Sequence, residues 1–226
     1  MINSGNDIRN ILWTGQVNKK CLLIVVAHCD DFEIGCLATV LKLHDAGVVF
    51  SIKLLTLCSN DQVRRKEQQN SINYLKKIGI KIDLVTFDYK DTILAENITN
   101  IKKDIKECAK VLSDLDHEIC VITHHDNDKH QDHACVNDAV TQSLRNHRII
   151  TFNILKYEEE VFIPSFYVKI NQETAEKKVA HILQSFSSQK SKIWFNKEVF
   201  LSELRMQGVH ANCNFAESFF IQKMCI

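Results

Sequence analysis

The stretch VVAHCDDFEIGC, residues 25–36, places a histidine and three acidic residues directly after a run of apolar residues. An apolar run of this kind predicts a buried strand, and the polar residues that follow predict a loop at the carboxyl end of that strand. His28, Asp30, Asp31 and Glu33 are too close in the chain for their charges to be well separated. The stretch therefore predicts a buried strand followed by a loop whose adjacent charges need a partner, and a bound divalent cation would be one such partner.

Composition limits the classes of function that the chain can have. The 226 residues are 45% hydrophobic and 25% charged, which is typical of a globular protein. The net charge is zero, so no overall field attracts nucleic acid or an anionic membrane. The N-terminus lacks an apolar signal segment, and the longest apolar run, CLLIVVA, is too short to cross a bilayer. We therefore expect a cytoplasmic protein without a nucleic-acid partner or membrane segment, and homo-oligomerisation is left open.

The cysteines argue against a disulfide framework. There are nine, an odd number, and no C-x-x-C pair indicates a zinc knuckle. We expect most of them to be reduced, buried, small apolar residues. For Cys29, beside His28, the alternatives are a packed residue and a thiolate ligand.

Apolar runs alternate with helical patterns along the chain. The predicted strands are 22–27, 48–57, 82–87, 119–123 and 149–155. The predicted helical stripes are Ile101, Ile105, Cys108 and Leu112; Val179, Ile182, Leu183 and Phe186; and Ile72, Leu75 and Ile78 before Gly79. This alternation predicts an α/β, Rossmann-like fold, with a mostly parallel sheet and helices on both faces. We expect a single domain over residues 1–226, in which residues from about 156 to 226 form a small β plus helix extension.

A second polar cluster follows the predicted strand 119–123. The stretch VITHHDNDKHQDHACV supplies His124, His125, Asp126, Asp128, His130, Asp132 and His133. In open α/β sheets, ligands bind at the carboxyl ends of the strands, so both clusters are expected at one edge. Alone, either cluster could be a solvated loop or could hold a hydrogen-bonded structural histidine. Together they favour a shared metal.

The spacing of the residues suggests a ligand set. His28 and Asp31 are three residues apart, so both can reach one ion from a single turn, and His133 or His130 would supply the third ligand. Two histidines and one carboxylate leave room for water, as catalytic zinc sites do. Arg64 and its neighbours lie at a predicted helix start. They are either solvated residues or contacts for an anion or a sugar.

At these residues the sequence resembles the LmbE-like, or PIG-L, family of zinc-dependent de-N-acetylases. AHCDDFEIG (27–35) is similar to the family motif A-H-P-D-D-x-E-x-G, with Cys29 in place of proline. DKHQDH (128–133) is similar to D-x-H-P-D-H, with Gln131 in place of proline. Four later stretches also resemble the family: RRKEQ (64–68), FIPSFYVKI (162–170), SQK (188–190) and RMQGVHANCNFAESF (205–219).

The resemblance implies an LmbE-like fold and a hydrolase that acts on a linear amide bond. It implies that His28, Asp31 and His133 bind Zn²⁺, or another divalent ion such as Fe²⁺. The substrate class that it implies is a small-molecule, N-acetylglucosamine-type sugar conjugate. The alternatives are an amide of a related sugar-thiol or antibiotic intermediate, and a catalytically weak protein that binds metal and sugar.

The resemblance also implies roles for four further residues. Asp30, which is not needed as a ligand, would act as the general base. His130, held protonated by Asp132, would stabilise the oxyanion. Arg64 would bind substrate.

Two other classes of protein are less consistent with the sequence. An Fe(II) oxygenase also uses two histidines and a carboxylate, but it would require oxygen-dependent turnover and a different fold. A nucleotide-binding module lacks support because no G-x-G-x-x-G follows the first strand. A pure sugar-binding protein has little use for Asp30, a carboxylate beside a metal ligand.

Overall fold

The computed structural model of the protein describes residues 6–14, 19–155 and 163–225. Within these ranges the helices are α1 (Asn6–Leu12), α2 (Asp31–Asp45), α3 (Gln62–Lys77), α4 (Ile98–Asp114), α5 (Gln131–Ser143), α6 (Gln172–Ser185) and α7 (Lys197–His210). The strands are β1 (Lys19–Val26), β2 (Ser51–Thr56), β3 (Ile82–Thr86), β4 (His117–His124), β5 (Arg148–Phe152), β6 (Phe166–Ile170) and β7 (Phe215–Lys223). None of the described helices has the length and apolar character needed to span a membrane.

The strands form one sheet in the order β3-β2-β1-β4-β5-β7-β6. The five strands from β3 to β5 are parallel, whereas β7 runs antiparallel to both β5 and β6. The chain moves from β1 outward to β3 and then returns to β4 on the other side of β1. The order of winding therefore reverses between β1 and β4, and crevices at such points bind ligands in open α/β sheets.

Both faces of the sheet are covered, as the sequence predicts. In β1, Leu22, Ile24 and Val26 pack into a core that α2, α3, α6 and α7 complete. The alternate residues, from Cys21 to Val25, pack into a second core beneath α4 and α5. Because successive side chains of a strand point to opposite faces, burial on both sides explains why the run is apolar without interruption.

The predicted element bounds need correction at several places. The second strand begins at Ser51 rather than at 48. Val48 instead closes the end of α2, with its amide donating to Leu43 O at 3.0 Å. The fifth strand ends at Phe152 rather than 155. The sequence predicts that Ile78 belongs to a buried helical stripe, but its side chain is 38% exposed because it lies at the C-terminal cap of α3.

The C-terminal extension contributes two strands to the sheet and is joined to the interior of α2. Glu217 of β7 accepts hydrogen bonds from the amides of Ala38 and Thr39 at 3.0 and 2.7 Å. Lys178 of α6 donates to Ile34 O and pairs with Glu217, both at 2.6 Å. The start of the extension, expected near residue 156, lies outside the described residues. Residue 162, the first of the family-like stretch 162–170, also lies outside them.

Candidate active site

The two polar clusters meet at the carboxyl ends of β1 and β4, where the winding reverses. Residues 28–31 lead from β1 into α2, and residues 125–130 lead from β4 into α5. The segment after β3 brings a further carboxylate, that of Asp91, to the same place. The local sequence therefore builds two loops, and the parallel pairing of β1 with β4 brings them together.

Three donor atoms form a nearly equilateral triangle. His28 Nδ1 lies 3.2 Å from Asp31 Oδ2 and 3.2 Å from His133 Nε2, and the latter two atoms are 3.4 Å apart. Ligands of a tetrahedral zinc ion, bound at about 2.0–2.1 Å, lie about 3.3–3.4 Å from one another. The spacing of these donors therefore fits one small divalent ion.

The opposite nitrogen of each imidazole faces a carboxylate. His28 Nε2 lies 3.2 Å from Asp91 Oδ1 and 3.5 Å from Asp132 Oδ2. His133 Nδ1 lies 2.6 Å from Asp128 Oδ2. Metal-binding histidines usually donate their other N–H in this way, which fixes the tautomer and aims the lone pair at the ion. The carboxylates thus support the same donor triangle.

The sequence pattern assigns no role to Asp91 or Asp128. Asp128 is the first residue of the second motif, so its position could have indicated its function. No local pattern marks Asp91, because its contact with His28 depends on how the segment after β3 packs.

The electrostatics of the triangle indicate a site that attracts a cation. Burial lowers the pKa of His133, but Asp31 and Asp128 raise it more, so the net pKa is raised. Burial also lowers the pKa of His28, but neighbouring carboxylates, Asp31 above all, raise it more, so the net pKa is well above its usual value. Burial raises the pKa of Asp31, yet the His133 and His28 charges hold it well below its usual range. Protons on the imidazoles therefore balance the carboxylates, and a metal would take their place.

His124 supports the triangle and is not a fourth donor. Its Nε2 accepts the Ala27 amide at 2.9 Å, so the neutral ring carries its proton on Nδ1. Nδ1 therefore has no lone pair left for an ion, and the Nε2 lone pair is taken by the Ala27 amide, although Nε2 lies 3.3 Å from Asp31 Oδ2. The ring stacks on His133 with centroids 3.9 Å apart, and burial lowers the pKa of His124 to about 4. A neutral, stacked His124 fixes the plane of the His133 ring.

Asp30 and Arg64 form a buried ion pair, which the sequence did not predict. Arg64 Nη2 lies 2.6 Å from Asp30 Oδ1, and Asp30 is fully buried. Asp30 is therefore not a free carboxylate. Arg64 stands in the first turn of α3, where its amide donates to the capping residue Asp61 at 3.2 Å. The interpretation of Arg64 as a solvated helix-start residue is wrong, since its guanidinium balances a buried charge.

His130 is held in a neutral form by its surroundings. It is the N-terminal cap of α5, and its Nδ1 accepts the Asp132 amide at 3.2 Å. Burial, followed by the charges of His133 and His28, lowers the pKa of His130 to about 4, although Asp132 opposes this change. The expectation that Asp132 keeps His130 protonated is therefore not supported by these surroundings.

The Asp132 carboxylate instead holds the segment that carries Asp91. It accepts the Thr92 amide at 2.7 Å and the Leu94 amide at 3.4 Å. Thr92 has a φ of 69°, an unfavourable left-handed conformation for a β-branched residue. Gln131, which stands where the family motif has proline, donates to Thr92 O. Asp132 and Gln131 together therefore secure a strained turn beside the site.

Cys29 is a packed thiol. Its Sγ lies 3.9 Å from Cys58 O, and burial raises the pKa of the thiol to about 12. All nine cysteines are free. Of the two interpretations of Cys29, the structure favours the packed residue over the thiolate ligand.

A cavity of about 220 Å³ opens beside these residues. On one side it is lined by His28, Arg64, Asp91 and His130. The other side is lined by Gln189, Lys192 and Trp194. A larger cavity of about 300 Å³ lies between α2, α3 and α6, away from this cluster. The smaller cavity is the one that the candidate catalytic side chains border.

Known proteins resemble this chain in both sequence and fold. Residues 23–144 match the family PIG-L, described as GlcNAc-PI de-N-acetylase. The uncharacterized deacetylase YaiS of Escherichia coli is 27% identical over 162 residues, 69% of this chain and 84% of YaiS.

Two solved structures show the same fold at low sequence identity. N,N'-diacetylchitobiose deacetylase from Pyrococcus horikoshii has a TM-score of 0.70 at 21% identity, covering 90% of this chain and 84% of that one. GalB, the 4-carboxy-2-hydroxymuconate hydratase from Pseudomonas putida, has a TM-score of 0.65 at 15% identity, covering 92% and 98%. One fold thus carries different reactions, so it is the family match, across more than half of the chain, that decides membership. The chain belongs to the PIG-L family of de-N-acetylases.

Proposed function

We propose that the protein is a metal-dependent hydrolase that removes the N-acetyl group from an N-acetylglucosamine-type sugar conjugate. The donor triangle of His28, Asp31 and His133, backed by carboxylates, is the observation that carries the proposal. We place the reaction in the cytoplasm, whose reducing conditions suit nine free thiols. The alternative substrates are a related sugar-thiol and an antibiotic intermediate.

His28, Asp31 and His133 would hold the ion, with Zn²⁺ as our first choice and Fe²⁺ as the second. When bound, such an ion polarises the acetyl carbonyl and lowers the pKa of water to about 7. In the reaction, water oxygen adds to the acetyl carbon and the C–N bond breaks, which yields a free amine and acetic acid, and the acid then releases a proton to solvent to give acetate. One proton must move from the attacking water to the departing nitrogen.

We assign that proton transfer to Asp30. Its partner Arg64 borders the cavity and Asp30 is fully buried, so the ion pair orients the carboxylate. Arg64 then has two roles, since it holds Asp30 and also presents a charged surface to the substrate. His130 borders the cavity as a neutral ring and would donate from Nε2 to the developing oxyanion.

The ligand assignment is tested with His133→Ala. Loss of one of three ligands should abolish stoichiometric zinc, measured by elemental analysis, while the circular dichroism spectrum stays unchanged. His125→Ala is the matched control, because His125 lies in the same loop and is absent from the triangle. Full zinc occupancy in His133→Ala would refute the assignment.

The base assignment is tested with Asp30→Asn. The amide keeps the size of the carboxylate but accepts no proton, so acetate release should fall by roughly 10²- to 10⁴-fold with zinc retained. Loss of zinc, with activity restored at high zinc concentration, would show that Asp30 is a ligand.

The role of His130 is tested with His130→Ala. Loss of one oxyanion donor should lower kcat by roughly 10²- to 10³-fold with zinc retained. Because His130 is neutral above its pKa of about 4, the variant should keep the alkaline limb of the pH profile. If the limb moves, the catalytic form of His130 is the imidazolium.

Substrate class is tested by acetate release from N-acetylglucosamine conjugates. Turnover of these conjugates supports deacetylation. Hydration of an unsaturated acid without acetate release would instead place the chain with the hydratase of the same fold.

A further inference from the structure

The side of the cavity opposite the metal cluster is built by one short segment, residues 187–196, which we call the wall segment. Three of its residues, Gln189, Lys192 and Trp194, line the cavity. Gln189 belongs to the family-like stretch SQK, whereas Lys192 and Trp194 lie outside the stretches that resemble the family, and the proposed hydrolysis assigns them no role. The wall segment is therefore where the substrate beyond its acetamido group would be recognised.

The wall segment is held firmly by α3. The Glu67 carboxylate accepts hydrogen bonds from Ser187 Oγ at 2.9 Å, Ser188 N at 2.7 Å and Ser188 Oγ at 2.6 Å. Glu67 lies one turn after Arg64 on the same helix, so one element positions the wall and the ion pair. The wall is therefore fixed relative to the catalytic residues.

Lys192 is placed by two successive turns and by a buried neighbour. Its amide donates to Gln189 O at 2.9 Å, and its carbonyl accepts from the Phe195 amide at 3.0 Å. Phe195 is 5% exposed and packs edge-on against Trp194, with centroids 5.5 Å apart. The backbone of Lys192 is thus anchored, while the residue is exposed and lines the cavity.

The charges around the cavity single out this lysine. Arg64 is paired with Asp30, and Asp91 faces His28. Among the described residues, Lys192 has no carboxylate partner. An unpaired ammonium on the wall of a concave site favours a negative group on the ligand.

We infer that Lys192 selects substrates that carry an anionic group, a phosphate or carboxylate, on the sugar conjugate beyond the acetamido group. The inference rests on the proposed deacetylation and adds the charge of the substrate to it. A phosphate on the anomeric carbon and one on the sixth carbon share this chemistry, so both serve as probes.

The experiment compares N-acetylglucosamine 1-phosphate, N-acetylglucosamine 6-phosphate and the neutral methyl glycoside. Binding to the zinc-loaded protein is measured by calorimetry, and acetate release is measured in parallel. The variants are Lys192→Ala and Lys192→Arg, with Lys190→Ala as the matched control, because Lys190 is exposed in the same segment but does not line the cavity.

We expect Lys192→Ala to weaken binding of at least one phosphate about tenfold and to leave the methyl glycoside unchanged. Lys192→Arg should keep most of the preference, and Lys190→Ala should behave as the parent. Raising the salt concentration should reduce the preference in the parent, since a partly exposed charge pair is screened.

Two failures are distinguishable. Equal loss of binding for charged and neutral conjugates, or no loss at all, overturns the inference about Lys192 even where acetate is released. No acetate release from any conjugate overturns the proposed function, whereas a binding preference that depends on Lys192 would still support an anion-selective cavity.

Discussion

Replacing Gly35 with alanine tests how tightly the first motif is packed. Gly35 lies on α2, four residues after Asp31, and a Cβ at this position would lie 2.4 Å from two ring carbons of Phe152. Carbon atoms that are not bonded to each other normally stay about 3.5–4.0 Å apart. The ring would have to move by more than 1 Å, but Phe152 is 1% exposed and also contacts His124, at 5.3 Å between centroids.

Two effects oppose each other in Gly35→Ala. Alanine is favoured over glycine in a helix interior by about 1 kcal/mol. Overpacking a confined core costs about 1–3 kcal/mol, and we take the upper end because the overlap is with a buried ring. We therefore expect a net loss of about 2 kcal/mol in the free energy of unfolding.

Urea unfolding, followed by circular dichroism and fluorescence, measures this change. The double variant Gly35→Ala/Phe152→Leu is the control, because a smaller side chain relieves the overlap. Its loss should be smaller than the sum of the two single losses. If Gly35→Ala proves as stable as the parent or more stable, helix propensity outweighs packing. The contact with Phe152 is then not the reason why position 35 requires glycine.

Three further predictions concern buried polar groups. Glu217→Gln leaves the Lys178 ammonium without its buried partner, so urea unfolding should show that the free energy of unfolding falls by about 3–5 kcal/mol. Adding Lys178→Met in a double variant should restore part of this loss. Burial lowers the pKa of His181 to about 4, below its unfolded value of about 6.5. The unfolded state therefore binds a proton more readily than the folded state does, so the free energy of unfolding should fall by about 2 kcal/mol between pH 7 and pH 5. Urea titrations at several pH values should show that His181→Gln removes this pH dependence. Asp128→Asn weakens the carboxylate behind His133, so chelator competition should show zinc affinity lowered by about 10- to 100-fold without loss of fold.

The sequence by itself determined the parts that depend on local pattern. Apolar runs alternating with helical stripes indicated the parallel sheet, and the two motifs after the first and fourth strands indicated the candidate site. His28, Asp31 and His133 could be named together because parallel strands place their carboxyl ends at one edge of a sheet. Their spacing in the structure is consistent with the ligand set that the resemblance implied.

Only the tertiary structure decided which side chains pair across distant segments. The pairing of Arg64 with Asp30, the contact of Asp91 with His28 and the place of Lys192 on the cavity wall have no signal in the local sequence. The same holds for β7, which enters the sheet between β5 and β6. Local periodicity encodes which face of an element is buried, but a contact between distant side chains depends on how the elements pack, and burial then decides their charge states.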